Sequence, residues 1–220
     1  MSEAVNPKRS YDSPRRREQA AATRREILAA AKLLFEGQGY AATSMAAIAA
    51  EAGVALKTVY SAFETKGGVL RALWNLLLRG DAEDVPVMDR AWYREVLGEP
   101  EPARQLELNA RNSRAVKERI GAVLDVIRHA AALDEETAAL WSRIQSDFYD
   151  NQRAVVRSLD EKGALRVGLD VAHGSDLLWT LNHPDVWQLL VTQRGWTPEQ
   201  YERWFAATAR QQLLGTASGF

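Results

Sequence analysis

An all-α fold is what this sequence predicts, as an N-terminal three-helix unit followed by a helical body. Apolar residues recur at threes and fours through most of the chain. No stretch alternates apolar and polar residues as a half-buried strand would. N-terminal caps and C-terminal glycines fall at the ends of the periodic segments. With 220 residues the chain can bury one or two cores.

Charge is unevenly placed. Residues 1–79 hold 12 Lys and Arg against 7 Asp and Glu, whereas residues 80–220 hold 16 against 22. A basic first part and an acidic remainder suit a polyanion on one side only. There is no Cys, hence neither a disulfide framework nor a thiolate metal site. Residues 1–19 have no apolar run of the signal-peptide kind, and no stretch of about 18 apolar residues would span a membrane. A cytoplasmic protein is expected.

Residues 1–17 read as a flexible arm, whose Arg15, Arg16 and Arg17 either reach a neighbouring groove or phosphate or merely solubilise the chain. A first helix is expected from Arg17 to Gly37, with Ile27, Ala31, Leu34 and Phe35 inward, ended by Gly37 and Gly39. Met45, Ile48, Ala49 and Ala52 make one apolar stripe of a short helix, capped by Thr43 or Ser44. Gly53 follows, where a left-handed backbone ends the helix cheaply, and Val54 plugs the turn. A second short helix runs from about Ala55 to Phe63 with Val59 and Phe63 inward. That leaves Leu56, Lys57, Thr58, Ser61 and Ala62 outside, a small, polar or basic face able to lie close to base edges. Two short helices joined in this way form a helix-turn-helix, with its motif at about 43–63, and predict double-stranded DNA as partner. Thr65 caps the next helix, Lys66 to Arg79. A cation in a first turn opposes the helix dipole, a mismatch that points Lys66 at a phosphate.

Ile27 to Phe35, Gly39-Tyr40, Thr43, Ile48-Ala49, Ala52-Gly53-Val54, Thr58-Val59-Tyr60, Phe63, Lys66 and Leu70 follow one another in an order and spacing that resembles the DNA-binding domain of the tetracycline-repressor (TetR) family of bacterial transcriptional regulators. The resemblance covers roughly Thr23 to Leu78. It implies phosphate contacts from Thr43, Tyr60 and Lys66, and a major-groove helix carrying Thr58 and Tyr60. Read from its own surroundings, Tyr60 is also compatible with a core aromatic whose hydroxyl is solvated. Ala55 stands where the family has a capping Ser or Thr, at a cost of roughly 1 kcal/mol. Ala62 replaces a common His. Gly67-Gly68 replaces an acidic pair and should loosen the next helix by roughly 1 kcal/mol per glycine. The DNA-binding set is thus Thr43, Ser44, Leu56, Lys57, Thr58, Tyr60, Ser61 and Lys66.

Domain limits follow: an arm at 1–17, the helix-turn-helix domain at 18–79, a helical regulatory and dimerisation domain at 80–215 and a tail at 216–220. Within the body, Gly80 to Asp84 and residues 99–102 break the chain, and a long helix spans Pro102 to about Ala132 with Ile120, Val123, Leu124, Ile127 and Ala131 on one face. Asp134 caps the next, to about Lys162, where Trp141, Ile144, Phe148, Val155 and Leu159 face inward, and Gly163 ends it. Asp170 caps a helix to about Leu181, and His183-Pro184-Asp185 starts a short one ended by Gly195. Thr197-Pro198-Glu199-Gln200 is a capping box that opens the last helix, with Tyr201, Trp204, Phe205 and Thr208 on one side.

By the same resemblance the body pairs with a second copy through Val171–Leu181 and Tyr201–Leu214, which implies a near-palindromic operator. It also holds a small-molecule pocket among Leu124, Ile127, Trp141, Ile144, Phe148 and Trp179. Six of the seven Trp lie beyond residue 80, which suits an apolar or aromatic ligand as well as plain core packing. The expected function is a homodimeric repressor released from DNA by an inducer, with an activator of the same fold as the alternative. An enzyme or a protein-binding helical module ranks lower. No nucleophile–base arrangement, Gly-rich phosphate loop or metal spacing is present, and neither a cofactor nor a metal is expected. His129, His173 and His183 read as structural or surface residues.

Overall fold

The computed structural model describes residues 14–79, 87 and 90–215. The helices run in the order α1 (Pro14–Ala42), α2 (Met45–Glu51), α3 (Leu56–Phe63), α4 (Lys66–Arg79), α5 (Ala91–Gly98), α6 (Pro102–Ala130), α7 (Glu135–Glu161), α8 (Val171–Leu181), α9 (Pro184–Trp187) and α10 (Pro198–Leu213). Among the described residues there is no strand, only a bridge between Leu165 and Leu214, and no helix is long and apolar enough to cross a membrane.

Local chemistry sets most of the boundaries. Ser44, not Thr43, caps α2, its hydroxyl accepting from Ala47 N at 3.1 Å. Asp134 caps α7 through Thr137 N, Asp170 caps α8 through His173 N, and Thr197 and Gln200 form the capping box of α10. Gly53, Gly163 and Gly195 all have φ near +65° to +71°, the conformation that a side chain resists.

Two expectations at the first helix need correction. Gly37 does not end α1; the break comes at Gly39 (φ 81°, ψ 172°). At the other end the helix begins at Pro14, so Arg15, Arg16 and Arg17 lie on its exposed first turns and not in a flexible arm. Residues 1–13, the Gly80–Asp84 break and the 216–220 tail lie outside the described residues. α5, inside the segment between the two expected breaks, was not foreseen as a separate helix. Past α9 the chain takes a π-helical turn at Gln188–Gln193.

Two apolar clusters hold the molecule. The first joins Ile27, Ala31 and Phe35 of α1, Met45 and Ile48 of α2, and Val59 and Phe63 of α3 to Val69, Leu70, Leu73 and Trp74 of α4. It continues without interruption into Ile120, Val123, Leu124 and Ile127 of α6 and Leu140 and Ile144 of α7. The second gathers the far ends of α6 and α7 (Leu106, Ala110, Val155, Leu159) with Leu178, Trp187, Tyr201, Phe205 and Leu213. Arg114 pins α6 to α10 by reaching Glu202 at 2.6 Å and Glu199 at 3.0 Å.

Candidate nucleic-acid interface

The helix-turn-helix is fixed from beneath by its apolar residues, and its outer face is left free. Val59 and Phe63 are buried; Leu56, Lys57, Tyr60 and Ser61 are exposed, and Thr58 is half-buried. Tyr60 is 48% exposed, so it is not a core aromatic. Ala55 provides no side-chain cap, as its identity requires. At the other end of α3, Arg24 of α1 donates to Ala62 O at 2.7 Å and lies 4.1 Å from the centre of the Phe63 ring. It thereby satisfies one of the carbonyls that every helix end leaves open. Sequence inspection missed Arg24, because its partner is 38 residues away and no local pattern marks it.

Two of the expected phosphate contacts are engaged inside the protein. Thr43 is 2% exposed; its hydroxyl donates to Gly39 O at 2.8 Å and accepts from Gln38 Nε2. It braces the corner between α1 and α2. Lys66 Nζ donates to Tyr40 O at 2.7 Å and Thr43 O at 2.9 Å, and sits 4.1 Å from the Tyr40 ring centre. Burial lowers its pKa, against the pull of Asp134. A cation at a helix N-terminus needs electron-rich partners, and these carbonyls and this ring supply them. The mismatch that pointed Lys66 at a phosphate is therefore resolved within the fold. The exposed residues of the expected set are Ser44, Leu56, Lys57, Tyr60 and Ser61.

The same corner meets the first turn of α7. Thr65 Oγ1 accepts from Gly68 N at 2.8 Å, capping α4, and donates to Glu136 Oε2 at 2.6 Å. Arg71 reaches Glu136 Oε1 at 3.2 Å. Burial, with the negative charges of Asp134 and Glu136 nearby, raises the pKa of Tyr40. The glycine pair at 67–68 has a steric role here. A Cβ on Gly68 would come within 2.3 Å of Phe63 O, and one on Gly67 within 2.6 Å of Glu136 Oε2. These residues let α4 approach both α3 and α7.

The six residues expected to line a ligand pocket fall in two described surroundings. Leu124, Ile127 and Ile144 are buried in the first apolar cluster and Trp141 packs against it. Phe148 and Trp179 instead flank His183, with ring centres at 6.3 and 4.8 Å. A surface cleft lies elsewhere, between Trp196, Gln200, Arg203 and Trp204. His173 and Asp170 form a helix cap, His183 caps α9, and His129 bonds the carbonyl of Asp125 at the surface.

Residues 27–73 match the sequence model of the bacterial regulatory proteins of the tetR family. No curated protein matches the chain in sequence. Solved structures do match in fold. NalD, the secondary repressor of the MexAB-OprM multidrug efflux pump in Pseudomonas aeruginosa, is 21% identical, with a TM-score of 0.67 over 90% of this chain and 98% of NalD. The SmeT–triclosan complex is 18% identical, with a TM-score of 0.70 over 90% and 95% of the two chains. A TetR-family regulator from Mesorhizobium loti is 19% identical, with a TM-score of 0.64 over 88% and 96%. Residues 27–73 thus carry the tetR-family sequence pattern, and the chain as a whole shares the fold of these structures.

Proposed function

We propose that the protein is a homodimeric transcriptional repressor that leaves a near-palindromic operator when a small ligand binds its helical body. The observation that carries the DNA-binding half is the free outer face of α3: Leu56, Lys57, Tyr60 and Ser61 project from a helix whose other side is locked into the core. Ser44 at the N-terminus of α2 adds an exposed hydroxyl beside free N–H groups, a setting that favours a phosphate. Lys66 serves this surface indirectly, by holding the α1–α2 corner. Dimerisation through α8 and α10 would place two copies of α3 on successive major-groove faces.

Regulation follows from linkage. A ligand shifts DNA affinity only by its difference in affinity for the two arrangements of the reading helices. The contact of Glu136 with Thr65 and Arg71 gives such a shift a path, because it ties the first turn of α7 to the helix that carries the DNA-binding unit. The solved relatives include a protein described as a repressor and one bound to triclosan, and both suit this reading.

The test is binding of the purified chain to DNA flanking its own gene, followed by fluorescence anisotropy across a salt series with random DNA as competitor. Preference for one site by roughly a thousandfold is expected. Lys57→Ala should weaken binding and reduce the salt slope by about one. Equal affinity for random and flanking DNA, unchanged by Lys57→Ala and Tyr60→Phe, would overturn the proposal.

A further inference from the structure

We infer that Lys117 anchors a small carboxylate ligand in the middle of the helical body. The inference rests on the ligand-responsive reading above and names the chemistry of that ligand. α6 contributes Leu106 and Ala110 to one apolar cluster and residues from Ile120 onward to the other. Between and beside them, Gln105, Asn109, Ser113 and Lys117 recur every fourth residue, a polar stripe that winds slowly around the helix. Lys117 is 6% exposed. Its ammonium donates to Asn182 Oδ1 and lies 5.4 Å from the Tyr201 ring centre. Asn182 in turn donates to Ser113 Oγ at 2.9 Å and to Gln152 Oε1 at 3.1 Å.

Among the described residues no carboxylate pairs with Lys117. A buried cation without an acid is costly, and an apolar side chain of similar size would serve stability better. Stability therefore does not explain this lysine. The neighbouring polar atoms point the same way. Among the described residues of the body, the buried side-chain atoms left without a partner are Trp179 Nε1 and, two to three turns along α6 from Lys117, Asn109 Nδ2 and Gln105 Nε2, all of them N–H donors. Trp179 lies one turn before Asn182. Around Asn182, then, Trp179 Nε1 lacks an acceptor and Lys117 lacks a negative charge, and a carboxylate supplies both. Tyr201, which faces the ammonium, packs against Trp187 at 5.0 Å, and Trp179 packs against His183 at 4.8 Å. They suit a flat or short apolar remainder. The cluster is closed, so the ligand selects an arrangement in which these helices have moved apart, which is the differential affinity that regulation requires.

The experiment is thermal unfolding of the full chain, without DNA, in benzoate, phenylacetate and octanoate, each paired with its neutral amide. Lys117→Gln removes the charge and keeps a donor for Asn182; Lys117→Met is the second variant should the first fold poorly. At least one acid is expected to raise the midpoint of the wild type by several degrees, its amide to do nothing, and the variant to bind at least tenfold more weakly. If no acid protects the wild type more than the variant, or if the amides protect equally, the assignment is wrong. Operator binding is measured on the same samples. DNA binding without acid binding overturns this assignment alone. Acid binding without DNA binding supports the site and overturns the reading above.

Discussion

Glu64 is the one described residue other than glycine with a positive φ (62°, ψ −53°). Thr65 N donates to Phe63 O at 2.6 Å across it, which closes a strained γ-turn between α3 and α4. Such a conformation costs on the order of 1–3 kcal/mol. Glu64→Gly is expected to raise stability by about 1 kcal/mol, read as a higher urea midpoint with unchanged slope. Lys117 makes a second residue-scale prediction. Burial lowers its pKa from the ordinary 10.5 to about 7. Between those values the unfolded chain holds the proton that the folded chain has lost, so stability rises with pH across the window. The penalty is complete below about 7 and fades as pH rises toward the unfolded value. His183 and Tyr201 also face this ammonium. The readout is therefore the difference between wild type and Lys117→Gln, which should shrink from about pH 7 to pH 9.

At the scale of elements, α4 is placed by what its first turn lacks. Gly68→Ala would drive a methyl group into the backbone oxygen of Phe63, which cannot swing aside. A loss of about 1–3 kcal/mol is expected from this overpacking, together with weaker operator binding. Gly67→Ala meets only the flexible end of Glu136 and should cost less. Thermal unfolding of the two variants side by side checks the order. The caps at Thr65, Asp134, Asp170 and Thr197 were legible, and that of α2 was narrowed to Thr43 or Ser44, because a cap and its helix are neighbours in sequence. The outward face of α3 was legible in part for the same reason, since the period of a helix fixes which residues share a side: Leu56, Lys57 and Ser61 are exposed as expected, whereas Thr58 and Ala62 are half-buried. The fate of Lys66 was not: its carbonyl partners belong to residues 23 and 26 positions earlier. Nor was the polar stripe of α6, because Asn182 and Gln152, which complete it, come from other helices. The pocket residues were inferred from aromatic content and likeness, and the fold divides them between two surroundings.

For the whole molecule, the domain limit at 79–80 read from sequence is a limit of chain and not of core. The first apolar cluster passes from α1, α2 and α3 through α4 into α6 and α7. A single cooperative thermal transition is expected, with circular dichroism and tryptophan fluorescence coinciding. Residues 18–79 alone should unfold at a clearly lower temperature, because Val69, Leu70, Leu73 and Trp74 lose part of their cover. Two separate transitions in the intact chain would contradict the shared core. The same continuity limits how such a chain can be recombined. An N-terminal unit cut at residue 80 and grafted onto a foreign helical body arrives with half of an interface. The graft must carry matching apolar faces for Ile120, Val123, Leu124, Ile127, Leu140 and Ile144, or the two parts of the chimera will melt and move independently.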